Sequence, residues 1–352
     1  MSYEKNIRRV TPYVPGEQPV VTGDLIKLNT NENPYPPAPG VKAAIEALPI
    51  DEMRLYPNTT AAPLAKSLAA YHGIRESQVF VGVGSDDVLA TCFLTFFAGA
   101  DPVLFPDITY SFYDVWAKLY RIPYETIPLT GDFRINVSDY RRKNGGIVIA
   151  NPNAPTSVGE RADVLEEIIK ANPDSVVIVD EAYVDFGGES VLRLLPKYKN
   201  LVIVRTFSKS RSFAGMRIGY AMADESLIDA LNAVKFSINS YTMNVTAIAY
   251  GVATVEDDAY FKATIQKIVD TREKTAKRLQ ELGFTTLPSQ TNFLFAMHER
   301  VPAKELFSYL KSRNIYVRHF AKPRIDNYLR ITIGTDRQMD RLISELTAFL
   351  NK

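Results

Sequence analysis

Val176-Val177-Ile178-Val179-Asp180-Glu181-Ala182-Tyr183 is a β-branched apolar run that closes on two acids and an aromatic. Unbroken apolarity, with no polar residue at alternate positions, marks a strand covered on both faces, as in a parallel sheet between helices. The same texture recurs at Val79-Phe80-Val81, Gly146-Ile147-Val148-Ile149 and Leu201-Val202-Ile203-Val204. Amphipathic stretches separate these runs. Residues 161–171, with apolar Val164, Leu165, Ile168 and Ile169, have helical spacing. Residues 79–223 therefore predict an α/β domain with a mostly parallel central sheet flanked by helices.

Past about residue 241 the pattern changes. A long helical stretch runs to Leu282 and is stopped by Gly283. Strand-like segments follow at residues 292–296, 315–318 and 328–333, with helices over Ala303–Ser312 and residues 337–350, and these predict a smaller α+β domain. The Pro-rich amino end, closing on Asn29-Thr30-Asn31-Glu32-Asn33-Pro34, predicts an extended arm. The expected division is an arm over 1–34, a large α/β domain over 35–245 and a small domain over 246–352.

Composition narrows the function classes. Among 352 residues, 41 Lys and Arg face 40 Asp and Glu, which argues against a nucleic-acid binder working through a basic surface. The amino end lacks the apolar core of a secretory signal, and residues 88–100, apolar and nearly uncharged, are too few to span a bilayer and read as a buried helix. Cys92 is the single cysteine, so an intrachain disulfide and a thiolate metal cluster are both excluded; a reducing cytoplasm is the expected location. His72, His298 and His319 have no metal-ligand spacing, and the chain has no G-x-S-x-G elbow and no G-x-x-x-x-G-K-[ST] loop.

Ligands of doubly wound sheets lie beyond the carboxyl ends of the strands, so the residues closing each run are the candidates. Val81-Gly82-Val83-Gly84-Ser85-Asp86-Asp87 lets the backbone approach a ligand and presents a helix start to a phosphate, or is an ordinary turn capped by Ser85. Asp180 either holds a proton on a ring nitrogen or caps the turn that follows, and the residues alone leave both readings open. After Leu201-Val202-Ile203-Val204-Arg205-Thr206-Phe207-Ser208 comes Lys209, an amine placed to react with a carbonyl, and Arg217 eight residues on can grip a phosphate. The loop Asn151-Pro152-Asn153-Ala154-Pro155 exposes Asn side chains or is a loop without chemistry. Tyr110 packs in the core or stacks on a flat ring.

An Asp closing one strand, a Ser-Lys closing a later one, an Arg beyond it and a phosphate turn upstream together resemble the fold type I pyridoxal phosphate-dependent aminotransferases. Residues 28–34, Arg54-Leu55-Tyr56-Pro57, Asp180-Glu181-Ala182-Tyr183, residues 208–217 and Leu329-Arg330-Ile331-Thr332-Ile333-Gly334-Thr335 are similar, more narrowly, to the histidinol-phosphate aminotransferases. The resemblance spans almost the whole chain. It implies pyridoxal 5'-phosphate as cofactor, with Lys209 forming the Schiff base and shuttling a proton, Asp180 pairing with the pyridinium nitrogen and Tyr183 bonding the ring oxygen. It implies Tyr110 stacked on the ring, and Ser85, Asp86, Thr206, Ser208 and Arg217 around the phosphate. Tyr56 would reach the phosphate of a neighbouring subunit's cofactor, which implies a homodimer with shared sites, and the arm would pack on the small domain and the site.

One departure concerns the Asn151 loop. The family usually reads Asn-Pro-Thr-Gly there, its Asn meeting the ring oxygen, whereas Ala154 precedes Pro155 here and Ser157 replaces the glycine. Asn153 supplies that contact if the loop is shifted. Residues 210–212 also differ from the commonest family form. On the substrate side, the resemblance implies Arg330 and Arg318 as anion-binding arginines, with Tyr13 and Asn31 of the arm beside them. The expected reaction passes an amino group between histidinol phosphate and 2-oxoglutarate, giving imidazole acetol phosphate and glutamate in histidine biosynthesis. An aromatic aminotransferase, a threonine-phosphate decarboxylase and a non-catalytic phospho-ligand sensor are the alternatives.

Overall fold

The computed structural model describes residues 3–20 and 23–351; Met1, Ser2, Val21 and Thr22 of the expected arm and Lys352 of the small domain lie outside the described residues. In chain order the elements are β1 (Ile26–Lys27), α1 (Gly40–Ala47), α2 (Ala62–His72), β2 (Val79–Gly82), α3 (Ser85–Phe96), β3 (Val103–Pro106), α4 (Tyr113–Tyr120), β4 (Tyr124–Ile127), β5 (Gly146–Ala150), α5 (Ala162–Ala171), β6 (Val177–Asp180), β7 (Leu201–Thr206), β8 (Gly219–Ala223), α6 (Glu225–Ile238) and α7 (Val245–Glu256). They continue with α8 (Asp258–Glu281), β9 (Phe284–Thr286), β10 (Phe293–His298), α9 (Ala303–Ser312), β11 (Ile315–Tyr316), β12 (Arg318–His319), β13 (Leu329–Thr332) and α10 (Asp336–Leu350).

The central sheet has seven strands in the order β2-β8-β7-β6-β5-β3-β4. Neighbours are parallel except at β8, which runs antiparallel to both β7 and β2, so the mostly parallel sheet expected from the apolar runs is what forms. Side chains alternate across the sheet and feed two cores. Val79, Val81, Ile147, Ile149, Val177, Val179, Leu201 and Ile203 join one core, with Leu64 and Leu68 of α2 and Ala247 of α7. Phe80, Val148, Ile178, Val202 and Val204 face the other, with Leu89 and Phe93 of α3 and Trp116 of α4. Helix α7 buries its apolar side in the first core and packs on α1 and α2.

The small domain is a four-stranded sheet, β12-β13-β10-β9, with every neighbouring pair antiparallel. Helices α8, α9 and α10 share its core through Ile268, Leu306, Leu310, Leu342 and Leu346. The expected strand over 315–318 divides into β11 and β12. β11 pairs in parallel with β1, which brings the arm onto this domain. A fourth apolar cluster lies on the seam, with Ile108, Leu129, Phe133 and Val158 from one side against Phe295 and Ile325 from the other.

Candidate active site

The carboxyl ends of β2, β5, β6 and β7 lie on one edge of the sheet, and there a hollow of roughly 370 Å³ is lined by Ser85, Asp86, Tyr110, Asp180, Tyr183, Ser208, Lys209 and Arg217. Two glycines beside it set how closely its walls approach. Gly84, at φ 86, precedes α3, and a Cβ on it would meet the Arg217 guanidinium at 2.6 Å; a Cβ on Gly219 would stand 2.3 Å from the Ser85 nitrogen. Only glycine lets β8 and the start of α3 approach this closely. The first-turn N–H groups of α3, the Ser208 hydroxyl and Arg217 then converge on one anion-sized place. Arg217 donates to Ser208 Oγ at 3.3 Å and pairs with Asp86 Oδ2 at 3.4 Å.

Asp180 is buried at the end of β6. Its Oδ2 accepts from the Tyr113 hydroxyl at 2.9 Å and its Oδ1 from the Ala182 amide at 3.1 Å, so it makes the turn contact and still faces the hollow. Burial pushes the carboxyl up to about 6; the bonds from Tyr113 and Ala182 counter this, and Asp86 and Glu181 add to it. A carboxylate so placed favours a cationic partner. Glu181, the second acid of the run, turns away and binds Ser190, the Val191 amide and Arg205.

Lys209 lines both this hollow and a larger one. Its Nζ donates to the Thr30 carbonyl at 3.3 Å and lies 5.8 Å from the centre of the Tyr183 ring. Asn33 of the arm donates to the carbonyls of Lys209 and Ser210, Ser210 donates to Asp185 at 2.6 Å, and buried Arg211 donates to the Thr254 carbonyl at 2.7 Å. Ser210 and Arg211 thus fasten the lysine loop to the turn after β6 and to α7. Tyr183 accepts from Asn31 Nδ2 at 2.8 Å, which leaves its own phenol proton to donate. Tyr110 donates to Asp86 at 2.8 Å, and burial, then Asp86, hold its phenol protonated.

The larger hollow, about 520 Å³, opens between the arm and the small domain and is lined by Tyr13, Asn31, Tyr110, Tyr183, Lys209, Arg318, Phe320 and Arg330 among others. Arg318 and Arg330 are cross-strand partners on β12 and β13, and both guanidinium groups stand 5.5 Å from the Phe320 ring centre. Burial, and then Arg318 opposite, lower the Arg330 pKa, although Tyr183 counters them. Like charges facing across strands are unfavourable until an anion lies between them. Arg330 donates to the Asn29 carbonyl, yet among the described residues its Nε has no hydrogen-bond partner, and neither have Asn29 Oδ1 and Thr30 Oγ1, all three buried atoms of residues lining this hollow.

Three of the expected site residues, Asn153, Thr206 and Tyr56, line neither hollow of the single chain. Asn153 lines neither hollow: its side chain accepts from Thr109 and donates to Thr156 and the Ile108 carbonyl, so the loop is not shifted to offer it. Ala154 faces both hollows in its place. The Thr206 hydroxyl accepts from the Ser208 amide, shaping the turn without reaching the hollow. The Asp86 carboxylate holds Tyr110 and Arg217, leaving only its amide for an anion. Tyr56 is 81% exposed, stacked on Tyr241, and lines neither hollow. The α3 N-cap position belongs to Gly84, not Ser85. Tyr113, Asn33 and Phe320 were missed; only Asn33 lay in a quoted motif, and the other two belong to none.

Comparison with known proteins gives concordant results. The family described as aminotransferase class I and II matches residues 23–346. A histidinol-phosphate aminotransferase of Lactococcus lactis subsp. cremoris is 51% identical over 350 residues, 99% of this chain and 98% of the relative. One of Acinetobacter baylyi is 50% identical over 352 residues, 99% of this chain and 97% of the relative. The solved histidinol-phosphate aminotransferase of Sinorhizobium meliloti, in complex with pyridoxal-5'-phosphate, superposes with a TM-score of 0.84 at 24% identity, covering 93% of this chain and 91% of that one.

Proposed function

Because the chain belongs to the aminotransferase class I and II family, we propose that it is a pyridoxal phosphate-dependent transaminase acting on histidinol phosphate and 2-oxoglutarate, in histidine biosynthesis. The observation that carries the substrate reading is the pair Arg318 and Arg330, opposed on neighbouring strands at the rim of a hollow that reaches Lys209. One such pocket accepts a phosphate monoester in one half-reaction and a carboxylate in the other.

The residues of the smaller hollow fit the cofactor: a buried carboxylate that wants a cation, an amine, and an anion cradle of Ser208, Arg217 and the first turn of α3. Bound there, pyridoxal phosphate supplies an electron sink for the bond broken at the substrate's amine-bearing carbon. Lys209 is its covalent anchor and then the base that moves the proton at that carbon. Asp180 holds a proton on the pyridine nitrogen. Tyr183, its oxygen already accepting from Asn31, donates to the ring oxygen, while Tyr110 covers the ring face. Ser208, Arg217 and the first turn of α3 hold the phosphate. Tyr13, stacked on Phe112 at 4.0 Å, covers the outer side of the larger hollow and keeps water from the reacting carbon.

We place the enzyme in the cytoplasm as a homodimer. Support for the dimer comes from exposed Ile50, Met53, Leu55, Tyr56, Phe236 and Ile238, an apolar surface that includes the tyrosine expected to reach a partner's cofactor. Support for the cytoplasm is a single buried cysteine, together with the lack, among the described residues, of any helix long and apolar enough to cross a membrane. The dimer fails as a reading if sedimentation shows a monomer at micromolar concentration.

The deciding experiment follows the visible absorbance of the protein with pyridoxal phosphate while histidinol phosphate, phenylalanine or threonine phosphate is added, and assays amino transfer to 2-oxoglutarate and carbon dioxide release. Transfer from histidinol phosphate, lost in Lys209→Ala together with the bound-cofactor band, is expected. A band unchanged in Lys209→Ala sinks the anchor assignment, and transfer from phenylalanine alone sinks the substrate.

A further inference from the structure

The two anion-binding arginines belong to one hairpin, and the hairpin is fastened at its tip. Between β12 and β13 the chain closes on itself: His319 Nε2 lies 2.7 Å from the Asp326 carbonyl, the Ile325 amide donates to Lys322 and the Tyr328 amide donates to Ile325. At the tip Arg324 takes a left-handed conformation, φ 70, and reaches the large domain. Its Nη1 donates to Asp107 Oδ2 at 3.0 Å, and its Nη2 to the carbonyls of Leu129 and Thr130 at 2.9 and 2.7 Å. The guanidinium stands 5.4 Å from the Phe133 ring centre, over the apolar seam of Ile108, Leu129, Phe133, Phe295 and Ile325. Asp107 is held in turn by the Leu129 amide at 2.9 Å and begins the loop that carries Tyr110.

An ion pair this exposed, with side chains at 37% and 28%, adds little to folding, and positive φ at a non-glycine residue is unfavourable. A strained residue making three bonds across a domain seam points to position rather than stability as its use. We propose that Arg324 and Asp107 are positioning residues, a latch that fixes the arginine hairpin on the cofactor-bearing domain and so sets the span from Lys209 to Arg318 and Arg330 that an anionic substrate must match. This rests on the reading of those two arginines as the anion site. The fork geometry matters: a guanidinium reaches a carboxylate and two carbonyls at once, which an ammonium cannot do in the same plane.

The test uses the holoenzyme. For Arg324→Ala the KM values for histidinol phosphate and for 2-oxoglutarate both rise, by about 10- to 100-fold for a displacement near 1 Å, with kcat within about threefold of wild type. Half-saturation by pyridoxal phosphate, read from visible absorbance, stays as in wild type. Asp107→Asn moves both KM values the same way, the double variant is no worse than Arg324→Ala, and Arg324→Lys recovers part of the loss. Unchanged KM values in Arg324→Ala overturn the latch, as does a loss of cofactor affinity and melting temperature that leaves KM alone. If wild type ignores histidinol phosphate yet passes amino groups from another donor to 2-oxoglutarate, the substrate reading falls alone, and the 2-oxoglutarate KM still decides the latch.

Discussion

Asp180 keeps its proton up to about pH 6 because it is buried, while its place in the hollow calls for the ionised form. A carboxyl whose folded pKa lies above its unfolded value contributes stability that is full below about 4 and lost as pH rises through about 6. In cofactor-free protein this amounts to on the order of 3 kcal/mol. Asp180→Asn should abolish that slope, so that denaturant melts between pH 4 and pH 8 become flatter than those of wild type. The same substitution should lower transamination by at least about 100-fold, since a neutral amide cannot hold the ring nitrogen protonated. A wild-type slope retained in the variant would show that another group carries it. The substitution therefore separates what the residue costs the fold from what it gives the chemistry.

Among the elements, β8 matters most to the site because its first residue, Gly219, lies against the start of α3. Gly219→Ala pushes a methyl into the Ser85 backbone, which should destabilise the protein by about 1–3 kcal/mol and weaken pyridoxal phosphate binding by at least tenfold. Thermal melts with and without cofactor measure both, and a variant that melts and loads like wild type would contradict the close packing. This strand was not read from the sequence, since Gly-Tyr-Ala-Met-Ala lacks the β-branched run that revealed β5, β6 and β7. The edge strand β4 escaped for another reason, its middle residues Glu125 and Thr126 being exposed. Lys209, Asp180 and Arg217 were legible because strand ends converge in any sheet of this kind. Asn153 was misplaced because its hydrogen bonds to Thr109 and Ile108 depend on a loop 45 positions away, and Arg324 carries no motif, its partners lying 194 to 217 positions back. The side on which α7 packs is likewise a matter of tertiary fit, which helical spacing leaves open.

At the scale of the whole molecule, two cationic side chains face each other on the small domain while the cofactor cradle lies on the large one, so an anion in the larger hollow joins both domains. Such a ligand binds the folded chain only. 2-Oxoglutarate at a hundred times its Kd should therefore add about 2.7 kcal/mol, raising the melting temperature by several degrees. The gain should vanish in Arg330→Ala, and a gain of equal size there would remove the hairpin from the anion site. The arm is part of this closure. Its Glu17 pairs with Lys311 of the small domain at 2.7 Å, Arg8 donates to the Leu119 carbonyl of the large one, and Tyr13 lies on Phe112, which itself stacks on Trp116 at 5.0 Å. Trp116 is the only tryptophan in the chain. The molecule thus carries a single indole one ring removed from its own roof, and lifting the arm to admit a substrate would register as a change in tryptophan emission excited near the red edge, timed by stopped flow without any attached dye.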